Sequence, residues 1–166
     1  MTYESLPERT LDKHELRALV TDLAARPDLW RAHVAFSDHE RHYASLYRDA
    51  YVDVWLLCWT RQNDTGWHDH DLSAGAVSVV QGALEECTPR IGGSHLRVTV
   101  EAGTSFCFGP EHIHRLTGAT DDAVSIHAYS PPLWRLGQYD ISVDGLMRRI
   151  SVSYADELRP LDAPVA

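Results

Sequence analysis

The chain has 166 residues, 44% of them hydrophobic and 23% charged, a balance that belongs to a globular domain able to close its own core rather than to a disordered polymer. A formal net charge of -9 excludes the broad basic face that nucleic-acid phosphates require, and no Lys/Arg cluster offsets it. No apolar run reaches the ~20 residues of a bilayer crossing, no basic-then-apolar leader opens the chain, and Cys58, Cys87 and Cys107 show no CxxC spacing, so a cytoplasmic protein with reduced thiols and no membrane contact is expected.

In chain order, Leu11, Leu16, Leu19, Val20, Leu23 and Ala24 recur at intervals of three and four and predict an amphipathic helix, with Thr10 or Asp12 as N-cap and Pro27 ending it. A weaker helical pattern runs from Asp38 to Arg48. From Tyr51 the texture changes to short runs of β-formers: Val52 to Trp59, Ala76 to Gly82, His95 to Glu101, Ser105 to Phe108, His112 to Thr117 and Val124 to Tyr129. Turn chemistry separates them, as in Asn63-Asp64-Thr65-Gly66 and Ile91-Gly92-Gly93-Ser94. The expectation is a single domain over 1–166 of mainly β class. Helices over 1–50 pack on a sandwich or barrel over 51–153, followed by a loosely held tail over 154–166. Nothing in the pattern bears on oligomeric state.

Chemistry concentrates at His68-Asp69-His70. On an extended strand alternate side chains share a face, so this triplet offers two imidazoles to one metal. A third ligand must come from elsewhere, and His112 and His114, within Glu111-His112-Ile113-His114-Arg115, are the candidates. His14, His33, His39, His42 and His95 are expected at the surface. Farther on, Ser125, His127 and Tyr129 alternate on one strand. Hydroxyl, imidazole and phenol in that order can form a hydrogen-bond relay in which His127 polarises the Tyr129 hydroxyl and Ser125 orients His127.

These pieces in order, Cys58-Trp59, His68-Asp69-His70, Val79 to Glu85, Ile113-His114-Arg115 and Ser125 through Leu133, resemble the cysteine dioxygenase family, bacterial type, over roughly residues 40 to 150. The resemblance implies a cupin-type double-stranded β-barrel, or jelly roll, with an N-terminal helical segment. It favours His114 over His112 and makes His68, His70 and His114 the ligands of a mononuclear Fe(II). Tyr129 would act on substrate or oxygen, with His127 and Ser125 behind it and Trp59 lining the pocket. The implied reaction is oxidation of a small thiol, L-cysteine or a related mercapto-carboxylate, by O2 to its sulfinic acid. Two departures stand out. Gly75 occupies the place of the cysteine that forms a thioether with the tyrosine in animal relatives. Ser45 occupies the place of the arginine that grips the substrate carboxylate, leaving Arg41, Arg48, Arg61 and Arg135 as candidates for that role.

Two other readings compete. A cupin isomerase, epimerase or carbon-bond dioxygenase would use zinc, nickel or manganese, but cupins of that kind usually carry a glutamate shortly after the second histidine, where this chain has Ala74 and Gly75. A non-enzymatic, metal-containing small-molecule sensor is the third reading, weakened by the absence of any DNA-binding appendage.

Overall fold

Asp12 starts the first helix, α1 (Lys13–Ala24), through a reciprocal capping box. Its carboxylate accepts from the backbone N–H groups of His14 and Glu15, while the Glu15 carboxylate accepts from the Asp12 N–H. The helix buries the stripe Leu16, Leu19, Val20 and Leu23, and Pro27 opens a short 3-10 turn that ends its direction. The computed structural model describes residues 6–90, 92–142 and 147–153; the tail expected over 154–166 and the turn residue Ile91 lie outside them. Among the described residues no helix is long and apolar enough to cross a membrane.

The strands are β1 (His42–Arg48), β2 (Asp53–Trp59), β3 (Trp67–Asp69), β4 (Ala74–Gln81), β5 (Ala83–Thr88), β6 (Leu96–Glu101), β7 (Ser105–Phe108), β8 (Arg115–Gly118), β9 (Ala123–Ser130), β10 (Arg135–Ile141) and β11 (Met147–Ser153). They form a five-stranded sheet in the order β1-β2-β9-β4-β7 and two three-stranded sheets, β11-β10-β3 and β6-β5-β8. The fold is therefore mainly β with an N-terminal helix, as the sequence predicts.

The central strands of the large sheet are covered on both faces, which explains their nearly unbroken apolar runs. Val54, Leu56, Cys58, Ala76, Val124, Ile126 and Ala128 pack against the α1 stripe. Their odd-numbered neighbours point the other way, into the barrel. There the register places Trp55 and Val77 on either side of His127, and Leu57 and Val79 on either side of Ser125. One β-strand thus carries core on one face and chemistry on the other.

The helix expected over Asp38 to Arg48 is a correction, since residues 42–48 form β1, paired with β2 along its length. A β-bulge between Ser45 and Tyr47 is the reason for the misleading pattern. It brings Tyr47 to the side of Ala44 and Leu46, and all three pack toward the helix. An apolar spacing of two followed by one imitates a helical face, because a bulge breaks the period of two.

Candidate metal centre

The two small sheets meet at an isolated bridge between His68 and His114. Each backbone N–H donates to the other's carbonyl, at 2.9 Å and 3.0 Å, a hydrogen-bonded antiparallel pair that sets the two side chains opposite each other on one face. His70 lies two residues beyond His68, just past β3, and its ring centroid is 4.9 Å from that of His68 and 5.1 Å from that of His114. All three are buried, and one nitrogen from each lies within 4.8 Å of the others.

The nitrogens themselves test whether a metal fits. His68 directs Nδ1 to the Gly66 carbonyl at 3.1 Å and His114 directs Nδ1 to Glu86 at 2.8 Å, which leaves Nε2 of each for the centre. His114 Nε2 and both ring nitrogens of His70 have no hydrogen-bond partner among the described residues. Buried polar atoms without partners are costly, and a cation shared by the three rings would satisfy them. Burial, reinforced by the neighbouring histidines, pushes His70 well below its ordinary value, and burial takes His114 down to about 3 against the opposing pull of Glu86. Both rings are therefore neutral near pH 7, the form that binds metal, and an all-imidazole set suits iron, zinc, copper or nickel.

The same displacement yields a stability test with a definite sign. Below pH 6.5 an unfolded histidine takes up a proton, whereas His114 in the folded protein does not do so until about pH 3. Metal-free protein should lose stability as the pH falls from 6.5 toward 3, by up to ~1.4 kcal/mol per pH unit for each such histidine. Urea unfolding in the presence of a chelator between pH 7.5 and 5 measures this. Constant stability across that range would contradict the burial of neutral imidazoles.

Packing holds what hydrogen bonds do not. His70 stacks on Phe108 at 4.6 Å and on Tyr129 at 5.3 Å. Phe108 can approach because Gly75, paired in register with both Phe108 and Tyr129, has no side chain; a Cβ there would collide with the Phe108 ring. The position where animal relatives carry a cysteine is here covered by an aromatic ring. Asp69, between His68 and His70 in sequence, faces the other way. It accepts from Gly137 N (2.9 Å), Tyr139 Oη (2.6 Å) and Arg149 Nε (2.8 Å), clamping β3 onto β10 and β11. Although burial favours its neutral form, the Arg149 and Tyr139 donors hold Asp69 well below the usual carboxylate range.

Beside the imidazoles runs the relay expected from alternation. Trp59 Nε1 donates to Ser125 Oγ at 2.8 Å, Ser125 Oγ meets His127 Nε2 at 2.8 Å, and His127 Nδ1 meets Tyr129 Oη at 3.2 Å. These contacts assign the protons. Ser125 already accepts from Trp59, and no further acceptor for its hydroxyl is found among the described residues, so it donates to Nε2. The ring proton of neutral His127 then sits on Nδ1 and is donated to the Tyr129 oxygen. Tyr129 Oη thus takes the His127 proton as acceptor, at the barrel end of the relay. His127 stays neutral because burial, and then the nearby charge of Arg41, lower it well below its ordinary value.

The four candidate arginines part company. Arg61 pairs with Asp121 at the surface, and Arg135 is exposed at the start of β10. Arg48 pairs with buried Asp53 at 3.0 Å and lies over the Trp134 ring. Arg41 alone among them is buried, its guanidinium 4.7 Å from the centroid of the Trp59 ring. Ser45, exposed on β1, faces Trp55 across the register. His112 lies in a turn whose N–H reaches Gly109 O, and its ring meets Glu86 rather than His68 or His70.

A family model for cysteine dioxygenase type I matches residues 3–142. The chain belongs to that family. Cysteine dioxygenase type I relatives are cupins in fold, and solved structures agree at low identity. An uncharacterised conserved protein with a double-stranded β-helix domain from Klebsiella pneumoniae is 12% identical, with 72% of this chain and 91% of that chain covered and a TM-score of 0.53. KdgF from a Halomonas species is 19% identical (63% and 94% covered, TM-score 0.50), and an RmlC-like cupin from Desulfovibrio desulfuricans is 16% identical (60% and 90% covered, TM-score 0.50). At these identities the likeness extends to the barrel alone.

Sequence reasoning did not single out Glu86 or Phe108. The first carried a signal: on β5, Leu84 is fully buried, Glu85 pairs outward with Arg97, and Glu86 returns to the inner side. An inward carboxylate two residues after a core leucine marks a group with a buried partner.

Proposed function

We propose that this chain is a non-haem iron thiol dioxygenase that oxidises a small mercapto-carboxylate with O2 to its sulfinic acid. The observation that carries it is the convergence of three buried imidazoles beside a relay that ends at the Tyr129 hydroxyl. Fe(II) held by His68, His70 and His114 would supply a Lewis-acidic centre at which thiol and dioxygen meet. Both oxygen atoms end on sulfur, and sulfur loses the electrons that dioxygen gains, so no external reductant enters. Tyr129 donates a hydrogen bond to the reacting atoms, and His127 and Ser125 keep that donor pointed inward. Trp59 and the apolar wall of Val77, Val79, Leu57 and Phe108 limit water around them.

Arg41 is the residue we assign to the substrate carboxylate. It is buried, stacks on Trp59, and lies close enough to His127 to shift its protonation, so its charge is directed at the barrel interior rather than at solvent. It immediately precedes β1, four residues before Ser45. The family's clamp is thus moved toward Trp59 and away from the position of its usual arginine. A guanidinium is the group suited to a desolvated carboxylate.

The assignment predicts a split between substrates. Arg41→Ala should raise KM for 3-mercaptopropionate or L-cysteine ~30-fold or more, the equivalent of about 2 kcal/mol for an unpaired buried charge. KM for cysteamine, which has no carboxylate, should change far less. Equal effects on all three thiols in oxygen-uptake assays would show that Arg41 does not read the carboxylate.

A further inference from the structure

The three histidines are held by unequal partners. Nδ1 of His68 faces a neutral carbonyl, and among the described residues His70 is held by packing rather than by a hydrogen bond. Nδ1 of His114 faces a carboxylate, Glu86 Oε1, at 2.8 Å, and the same oxygen receives His112 Nε2 at 3.0 Å. Glu86 is largely buried, with a side chain 15% exposed. Two imidazole nitrogens converge on one of its oxygens, the place of an acceptor-only carboxylate. Such a group costs free energy unless its partners need its charge.

We propose that Glu86 is a positioning residue of the metal centre: it retains the Nδ1 proton of His114, presents Nε2 as the ligand atom, and lends that ligand a negative charge that an all-imidazole set does not supply. A carboxylate behind a metal-bound histidine fixes its tautomer and orientation and raises its basicity, whereas a carbonyl fixes orientation with little charge. His114 is therefore the strongest donor of the set. His112 closes the far side of Glu86, and its part is to satisfy the carboxylate rather than the metal. The inference rests on His68, His70 and His114 being the ligands, and its test does not depend on the reaction.

The full-length protein and its Glu86→Gln, Glu86→Ala and His112→Ala variants are titrated with Co(II) under anaerobic conditions against a competing chelator. Glu86→Ala should weaken binding 10- to 100-fold, with Glu86→Gln between it and wild type and His112→Ala within about threefold. 15N NMR of the metal-free protein should show His114 as the Nδ1–H tautomer in wild type and in Glu86→Gln, whose amide oxygen still accepts that proton. In the iron-loaded proteins Glu86→Gln should nevertheless raise the Fe(III)/Fe(II) midpoint potential, because the ferric state loses an anionic partner. Wild-type Co(II) affinity in Glu86→Ala would overturn the proposal. So would a Glu86→Gln variant with both wild-type affinity and wild-type potential, or a second Co(II) per chain held by Glu86 and His112. Absence of thiol oxidation in the iron-loaded wild type, with these shifts present in the variants, would contradict the proposed activity and leave the role of Glu86 standing.

Discussion

Single alanine substitutions at His68, His70 and His114 are expected to bring bound iron to background and to abolish thiol oxidation, while His112→Ala keeps most of both. The expectation follows from how the rings are satisfied. Each of the three offers a nitrogen to one common point, and the atoms there without a partner among the described residues belong to His70 and His114. His112 spends its Nε2 on Glu86. Removing one of three protein ligands leaves a pair of imidazoles, too few to hold a divalent ion in competition with water. Metal analysis together with far-UV circular dichroism separates ligand loss from unfolding. Full iron occupancy in a folded His114→Ala variant would remove that residue from the centre.

Tyr129→Phe is the second large effect. The phenyl ring would keep the stacking on His70 and the burial beside Leu133 and Leu136, so iron content and melting temperature should change little. The hydroxyl that His127 orients would be gone. Loss of one prearranged donor at the reacting atoms lowers turnover by ~10² to 10³, and that is the fall expected in kcat. Because Gly75 carries no sulfur and faces Phe108, intact-mass measurement should find no thioether on Tyr129 in the wild type. A Phe variant with wild-type turnover would reduce the relay to a structural feature of β9.

Much of this architecture could be read from the chain because the residues involved serve two faces or repeat at a fixed spacing. β9 shows both features. Val124, Ile126 and Ala128 face the helix while Ser125, His127 and Tyr129 face the barrel, and strict alternation makes both sets visible. The His68–His70 pair is visible for the same reason. What could not be read depends on long-range pairing or on broken periods. The bulge in β1 gave Ala44, Leu46 and Tyr47 the spacing of a helix. β10 and β11 are rich in polar and charged residues and exist as strands because they pair with each other and, through β10, with β3. The burial of Arg41 follows from the reach of β1 across to Trp59, and no local pattern announces a buried cation. The Glu86–His114 contact joins residues 28 positions apart, a distance over which sequence periodicity carries no information.

The central claim is that the chain catalyses incorporation of both atoms of O2 into the sulfur of a small thiol acid. It is tested most directly by measuring oxygen uptake and sulfinate formation together in Fe(II)-loaded protein supplied with L-cysteine, 3-mercaptopropionate, cysteamine and mercaptosuccinate. The structure predicts one sulfinate formed per O2 consumed, with a thiol carboxylate as the preferred substrate and with both signals lost in His70→Ala. Oxygen uptake that ends in disulfide and hydrogen peroxide, or no uptake with any thiol at full iron occupancy, would contradict it.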